Sequence, residues 1–235
     1  MIYYSQSWQD RFLDLIIFKK KENGFFVDIG AYDGKTLSNT LFFETRRNWT
    51  GICVEPIPSS FEKLINNRNC KCINACIGES EEKVSFIHII GDSEMLSGIC
   101  NLYDKRHIER IEKEINENCG NKEIIEVQSY KLDTILRQNN VKNIDYLSID
   151  AEGSEKQILE DINFSENDIK VLTVENNYND NSIRVLLKNN GYVFIGKLDA
   201  DDVFILNSES RAIYKIMVLC FNYTHKVLRK FFGYE

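Results

Sequence analysis

Short apolar runs alternate along the chain with amphipathic stretches, which is the pattern of strands and helices in an α/β fold. The apolar runs predict strands at about 25–29, 51–55, 72–77, 84–90, 144–149 and 171–174. Apolar residues at helical spacing predict helices at 6–19, 36–46, 59–67 and 130–139, and Ser59 with Glu62 resembles a capping box for the third helix. The alternation predicts a mostly parallel central sheet flanked by helices.

Residues 91–128 interrupt this alternation with a loop and a strongly charged helical segment at 104–118. A charge run of this kind usually forms a solvated helix face. Insertions between strands and helices also commonly build substrate specificity, so a flap over an acceptor site is the second interpretation. The composition of the insertion does not indicate a particular substrate.

The carboxyl-terminal segment, residues 209–235, mixes apolar and basic residues at helical spacing. It predicts an amphipathic helix that follows a domain at residues 1–208. A basic amphipathic helix can lie on a membrane surface as a peripheral contact, cover the sheet, or close a homodimer. The pattern leaves these three interpretations open.

The most informative motif lies at the first two predicted strands. Phe-Phe-Val-Asp-Ile-Gly-Ala-Tyr-Asp-Gly at 25–34 joins an apolar strand to a glycine turn, and Gly-Ile-Cys-Val-Glu-Pro at 51–56 ends the next strand in an acid. This is the layout of a βαβ unit that binds a nucleoside. Because Asp28 would repel a pyrophosphate, the motif favours S-adenosyl-L-methionine, which carries an ammonium and a sulfonium, over NAD.

The glycines and the second acid of this unit each have an expected role. Gly30 and Gly34 are expected to keep the turn bare, so that the ligand can lie against the backbone. Glu55 ends the second strand, where a carboxylate can accept hydrogen bonds from both ribose hydroxyls. An ordinary strand-to-helix turn would explain the two glycines alone, but not their combination with Asp28 and Glu55.

The carboxyl ends of parallel strands meet at one edge of a sheet, where ligands of open α/β folds bind. Four acids follow predicted strands and are expected at that edge: Asp28, Glu55, Asp150 and Glu175.

The composition mainly disfavours certain partners and locations for the protein. The 235 residues carry a net charge of -7, which disfavours nucleic acid as a partner. The amino terminus lacks the regions of a signal peptide, and no apolar stretch has the length needed to span a bilayer. Seven cysteines, an odd number, fit a reducing compartment, so we expect a cytoplasmic protein.

Cysteine and histidine give weak signals of their own. Cys70, Cys72 and Cys76 lack the CxxC spacing of a metal site and have no histidine nearby, so a strand interior or edge is the preferred interpretation. Of the three histidines, His88 alone is considered for chemistry, and a core or edge position is preferred for it as well.

With these motifs in place, the chain resembles the FkbM-type methyltransferases, a class I S-adenosylmethionine-dependent family. The matching motifs include Tyr-Ser-Gln at 4–6, Val-Asp-Ile-Gly-Ala at 27–31 and, most distinctively, Ile-Asp-Tyr-Leu-Ser-Ile-Asp-Ala-Glu-Gly-Ser-Glu at 144–155. The resemblance implies a Rossmann-like class I methyltransferase fold and O-methylation, most often of a sugar hydroxyl on a glycan or glycosylated metabolite. Many relatives carry lysine where this chain has Ser148, so a role of that lysine cannot be transferred.

The motif and the resemblance together define a set of expected cofactor-binding residues. They are Gln6, Asp28, Gly30, Ala31, Gly34, Asn39, Glu55, Pro56, Cys76 and Asp150.

Methyl transfer to a sugar hydroxyl calls for a base, because the hydroxyl is a weak nucleophile while it is protonated. Asp150 and Glu152 are the first choices and Glu175 is the next. Asp150 could instead be a structural acid or contact the ammonium of the cofactor. Glu152 could be a helix N-terminal acid, although Glu155 fits that role better.

Two further points stay open at this stage. Several acids at one edge could hold Mg²⁺ as a second cofactor. A catalytically weak nucleoside-binding or interaction protein with the same fold is the alternative to an enzyme, since a fold does not establish activity.

Overall fold

The computed structural model describes residues 2–91, 93–103, 105–117 and 120–232, with side chains as far as residue 226. The described residues form eleven strands: β1 (Phe25–Ile29), β2 (Thr50–Val54), β3 (Lys71–Ile73), β4 (Cys76–Ile77), β5 (Lys83–Ile90), β6 (Gly98–Ile99), β7 (Asn121–Tyr130), β8 (Asn143–Ile149), β9 (Asp168–Glu175), β10 (Tyr192–Leu198) and β11 (Asp201–Leu206). The α-helices among them are α1 (Gln9–Phe12), α2 (Leu41–Arg47), α3 (Pro58–Asn67), α4 (Lys105–Glu117), α5 (Leu132–Gln138), α6 (Glu155–Asp161), α7 (Asn181–Asn189) and α8 (Ile213–Phe232).

The central sheet has seven strands in the order β10-β11-β9-β8-β1-β2-β3. Pairing is parallel between β1 and β2, β1 and β8, β8 and β9, and β2 and β3, whereas β11 runs antiparallel to both of its neighbours. The predicted α/β fold with a mostly parallel sheet is therefore confirmed. Strand β1 lies inside the sheet and is almost wholly apolar, because helices cover both of its faces.

A second sheet has the strand order β4-β7-β5-β6. The prediction of one strand at 72–77 is wrong, because β3 ends in the central sheet and β4 begins in the second sheet. The prediction of a loop and a charged helix at 91–128 is wrong in its last part, where β7 pairs antiparallel along the whole of β5. The alternation of outward charges with Ile125, Val127 and Ser129 is the strand signal that the charge run masked.

Two of the predicted helices, those at 36–46 and 59–67, begin at other residues in the structure for identifiable reasons. The helix predicted at 36–46 begins at Leu41, because Leu37 has a positive φ of 54° that is incompatible with a right-handed helix. Helix α3 begins at Pro58 with Ile57 as N-cap and no side-chain cap, so the Ser59 capping box is wrong. Proline suits the first helical position because it lacks only an N–H that would be unpaired there.

The predicted helix at 6–19 is shorter and irregular. Helix α1 continues directly into one π-helical turn at Leu13–Ile17. The buried side chains of Phe12 and Leu13 pack against the central sheet beside α2. This segment therefore fastens the amino terminus to one face of the sheet.

The core consists of two apolar layers, one on each face of the central sheet. Helices α5, α6 and α7 cover one face, and the amino-terminal segment, α2 and α8 cover the other. Helix α8 packs across β10, and Tyr214 and Val218 are its buried anchors. None of the described helices combines the length and the apolar character needed to cross a lipid bilayer.

Candidate functional site

A cavity opens at the carboxyl edge of the central sheet. It brings together most of the residues that the sequence nominated: Gln6, Asp28, Gly30, Ala31, Asn39, Glu55, Pro56, Cys76, Asp150, Glu152 and Glu175. Gly34 lies outside the lining. One cavity thus joins the ends of β1 and β2 to the ends of β8 and β9.

Asp28 is held by a buried polar network that consists of Thr40 and Arg68. The hydroxyl of Thr40 donates to Asp28 Oδ2 at 2.5 Å, and Arg68 Nη1 lies 3.9 Å from the same oxygen. Arg68 Nη2 also donates to Thr40 Oγ1 at 2.9 Å. Burial raises the pKa of Asp28, and the guanidinium of Arg68 opposes that rise. The acid is therefore fixed in orientation and partly neutralised.

Glu55 is held by backbone donors at the end of β2. Its carboxylate accepts hydrogen bonds from the N–H of Tyr32 at 2.9 Å and of Ile57 at 2.8 Å. Burial raises the pKa of Glu55 to about 7, and these two hydrogen bonds oppose the rise. The side chain bridges the two turns that form this end of the cavity.

Gly30 and Gly34 are both required for packing, and Gly30 also lines the cavity. Both have positive φ, and a Cβ on Gly30 would overlap the carbonyl oxygen of Asp150. A Cβ on Gly34 would lie 2.7 Å from a side-chain carbon of Arg68. The atoms that these glycines make room for belong to the protein itself, and contact of the Gly30 backbone with a ligand stays a prediction.

Three acids gather at the other end of the cavity. One oxygen each from Asp150, Glu152 and Glu175 lie within 4.8 Å of one another. Asp150 directly follows β8, Glu152 occupies a left-handed turn position with φ of 49°, and Glu175 is the last residue of β9. The three candidate bases therefore form one cluster, which we call the acidic triad.

The acidic triad is short of hydrogen-bond donors. Glu175 accepts one hydrogen bond from Asn177 Nδ2 at 2.6 Å. Glu152 Oε2 is buried without a hydrogen-bond partner among the described residues, and the imidazole Nε2 of His107 lies 3.6 Å from it. Partial loss of solvent, and then repulsion from neighbouring carboxylates, raise the pKa of all three acids, although Asp150 itself is exposed. The triad is thus able to hold a proton near neutral pH.

Glu155 differs from the triad, as its position predicts. Its carboxylate accepts hydrogen bonds from the N–H groups of Ala151 at 3.0 Å and Gly153 at 2.9 Å. It is also the first residue of α6, where a negative charge is stabilised by the helix dipole. The interpretation of Glu155 as a helix N-terminal acid is confirmed.

The charged insertion forms one wall of the cavity. Helix α4 contributes Arg110 to the lining and places His107, which is buried and stacked on Tyr103, beside Glu152. The opposite face of α4 is solvated and carries the ion pair of Lys113 with Glu117. The solvated helix face is therefore confirmed, and the flap over an acceptor site stays a prediction that the position of Arg110 in the cavity wall supports.

The preferred interpretation of His88, a core or edge position, agrees with the structure. His88 bridges Glu94 and Glu123 on the second sheet, at 3.1 Å from each, and is not part of the lining. His107 is the histidine that reaches the acidic triad. The signal that could have found it is its position four residues before Ile111, on the buried face of α4.

Asp201 is a further cavity residue that sequence reasoning missed. It is the register partner of Glu175 across the antiparallel pair of β11 and β9, and it accepts a hydrogen bond from Gln9 Nε2 at 3.1 Å. Burial raises its pKa to about 7. Because β11 is antiparallel, its first residue lies at the edge where parallel strands end.

Ser148 is buried in the floor of the cavity. Its Oγ accepts a hydrogen bond from Asn39 Nδ2 at 3.1 Å.

The cysteines near the site form two separate groups. Cys76 lines the cavity, whereas Cys70 Sγ lies 3.5 Å from Cys53 Sγ on the far side of β2. Closeness in sequence at 70–76 therefore does not produce one cluster.

The cavity is strongly acidic. Among its described lining residues the one cationic side chain is Arg110, against seven carboxylates: Asp28, Glu55, Glu94, Asp150, Glu152, Glu175 and Asp201.

Comparison with known proteins adds a family to this geometry. A crystal structure of methyltransferase FkbM from Methylobacillus flagellatus KT is similar at 13% identity over 79% of this chain, with a TM-score of 0.44. The chain spans 44% of that protein's length. A precorrin-6y C5,15-methyltransferase from Geobacter metallireducens GS-15 is similar at 10% identity over 81% of this chain and 84% of its own, with a TM-score of 0.40.

No curated protein matches the chain. The methyltransferase FkbM domain matches residues 28–194, which include both ends of the cavity. The chain therefore belongs to the FkbM methyltransferase family.

Proposed function

We propose that this protein is an S-adenosylmethionine-dependent O-methyltransferase whose acceptor is a sugar hydroxyl of a glycan or a glycosylated metabolite. The observation that carries the proposal is a single acidic cavity that joins the nucleoside-type turns of β1 and β2 to the acidic triad. Membership of a methyltransferase family supports the reaction type.

The charge of the cavity supports the choice of cofactor. Seven carboxylates facing one guanidinium favour a ligand with cationic groups and disfavour the pyrophosphate of NAD. Glu55 would accept hydrogen bonds from the ribose, and Asp150 would contact the ammonium group. When bound, S-adenosylmethionine supplies a methyl group activated by a positively charged sulfur.

The acidic triad supports an acceptor with hydroxyl groups. Carboxylates accept hydrogen bonds from several hydroxyls at once, which orients a polyhydroxylated ring in the cavity. The proton lost by the acceptor hydroxyl needs a base with a raised pKa, because such a base matches the working pH. Glu152 is our choice, since its Oε2 is buried and has no hydrogen-bond partner among the described residues.

A divalent cation is the second cofactor that the triad could accommodate. Three carboxylate oxygens within 4.8 Å are the ligand type that Mg²⁺ prefers. Arg110 and His107 already bring positive charge or donors to the same place, so the residues can also act without a metal. Assay of the protein with a chelator, and again with added Mg²⁺, separates the two cases.

The decisive experiment is calorimetric titration of the protein with S-adenosylmethionine and S-adenosylhomocysteine, with NAD as the control. Saturable binding of the first two ligands alone is expected. Binding of NAD alone, or of none of the three, would contradict the proposal at its first step.

Transfer of a labelled methyl group to sugar acceptors then tests the reaction itself. The expected result is label on a hydroxyl oxygen, with release of S-adenosylhomocysteine. Cofactor binding without transfer to any acceptor would favour the alternative, a catalytically weak nucleoside-binding protein.

A further inference from the structure

Helix α8 has one face that belongs to the fold and one that does not. Tyr214 and Val218 are buried on the central sheet, and a Cβ on Gly196 of β10 would lie 2.7 Å from Val218. Phe221 packs edge-on against Phe12, with ring centroids 5.3 Å apart. The helix is therefore fixed in orientation, and its outer face has a definite composition.

The outer face is apolar. Ile216, Leu219 and Tyr223 are 57%, 69% and 73% exposed. Their spacing of three and four residues places them in one row along the helix. Large exposed apolar side chains in a contiguous row indicate an interaction surface.

The charges of this segment are all positive. Residues 211–232 contain no acid in a chain whose net charge is -7. The basic residues of this segment are Arg211, Lys215, Lys226, Arg229 and Lys230. A partner for this face should therefore combine apolar and negatively charged chemistry.

The helix also adjoins the wall of the cavity. The Trp8 ring lies 4.6 Å from the His225 ring and 5.8 Å from the Phe221 ring, measured between centroids. Gln6 and Gln9, which are close to Trp8 in the sequence, line the cavity. A surface that covers the outer face of α8 would thus lie near the amino-terminal wall of the site.

We propose that α8 docks this protein on an anionic lipid surface. The apolar row enters the boundary between headgroups and acyl chains, and the basic residues contact the lipid phosphates and carboxylates. The helix lies in the plane of the surface, in agreement with the absence of a bilayer-crossing helix from the described residues. The sheet side of α8 stays packed as it is.

A second copy of the chain is a poorer partner for this face. A two-fold contact through α8 would bring the basic residues of both copies into one interface, where residues 211–232 offer no acid to pair with them. Like charges at such short range repel, whereas an anionic bilayer attracts every one of them. The charge pattern therefore favours the lipid surface.

Vesicle flotation of the full chain tests the proposal. We expect the protein to float with phosphatidylcholine vesicles that contain phosphatidylglycerol, and not with pure phosphatidylcholine. The double variant Leu219→Glu/Tyr223→Glu should bind at least about tenfold more weakly, because it loses two apolar side chains from the lipid. Lys215→Glu/Lys226→Glu should weaken binding as well, and added salt should do the same.

Val185→Glu is the matched control, since Val185 is apolar and 49% exposed but lies on α7. It should float like the unchanged protein. Calorimetric binding of S-adenosylmethionine and thermal unfolding show whether each variant is folded, and this keeps the proposal separate from the proposed function.

Two results would overturn the proposal. One is failure of the full chain to float with the anionic vesicles, and the other is equal loss of binding in Val185→Glu. Light scattering then assigns the face: a dimer that Leu219→Glu/Tyr223→Glu dissociates, in a protein that does not float, would mean that a second copy covers α8.

Discussion

The two ends of the cavity treat their carboxylates in opposite ways. At the ends of β1 and β2, Asp28 and Glu55 each receive hydrogen bonds from fixed donors of the protein. At the ends of β8 and β9, the acidic triad crowds three carboxylates within 4.8 Å, and Glu152 Oε2 has no such donor among the described residues. The first end is built to present oriented acceptors, and the second is built to take up a proton or a cation.

This difference has an energetic side. Buried charges are tolerated when hydrogen bonds or opposite charges satisfy them, and they destabilise the fold when they repel one another. The triad therefore lowers stability, which is common at sites selected for chemistry. Three variants test this difference between the two ends of the cavity. The variant with the greatest expected effect is described first.

Glu152→Gln should affect turnover most. We expect kcat for methyl transfer to fall by about 10²- to 10⁴-fold, since the amide cannot accept the proton of the acceptor. The affinity for S-adenosylmethionine should stay within about twofold, because Glu55 and the turn that bears it are unchanged. Transfer of labelled methyl and calorimetry measure the two quantities.

Glu160→Gln is the control for that variant, because Glu160 is an exposed acid on α6 paired with Lys156. It should keep full activity. If Glu152→Gln keeps its kcat while Glu175→Gln loses it, the base is Glu175 and the choice of Glu152 is wrong.

Glu55→Ala should affect cofactor affinity next. Loss of a charged acceptor is expected to weaken S-adenosylmethionine binding by about 1.5 to 3 kcal/mol, or roughly 10- to 150-fold in Kd. Calorimetric titration measures it, with the exposed α3 residue Glu62→Ala as the control. Unchanged Kd in Glu55→Ala would remove the ribose assignment.

Glu175→Gln should have the smallest effect, on stability and with a definite dependence on pH. The pKa of Asp150 rises from 3.8 unfolded to about 8 in the fold, so the folded triad binds protons that the unfolded chain releases. The stability of the unchanged protein should therefore fall as pH increases across that window. Glu175→Gln removes one repelling charge and should raise the free energy of unfolding slightly at the alkaline end of that pH range and hardly at all at the acid end.

Thermal unfolding at several pH values checks that sign. A loss of stability in Glu175→Gln at alkaline pH would mean that the carboxylates of the triad stabilise the fold, and the contrast between the two ends would fail.

The sequence predicted those parts of the site that follow from local order along the chain. Strands β1, β2, β8 and β9 are short apolar runs because both faces of the sheet are covered, and the acid after each run must lie at the carboxyl edge. The sequence alone therefore predicts four acids at this edge: Asp28, Glu55, Asp150 and Glu175.

The rest of the site depends on pairing between distant segments. His107 and Arg110 reach the triad only because β7 returns along β5 and sets α4 over the cavity. Asp201 reaches it only because β11 is antiparallel, and a run of apolar residues does not encode strand direction. The charge run at 104–118 described the solvated face of α4 and masked the buried one.

Gly30 lies where the backbones of the two ends of the cavity are in contact. The N–H of Asp150 donates to the carbonyl of Ile29 at 3.0 Å, and Gly30 passes beneath the Asp150 carbonyl with no room for a methyl group. The separation between the cofactor turn and the turn that carries the triad is therefore fixed by two backbones in contact. A side chain at position 30 would have to push these two turns apart, and would thereby widen the cavity between its two ends.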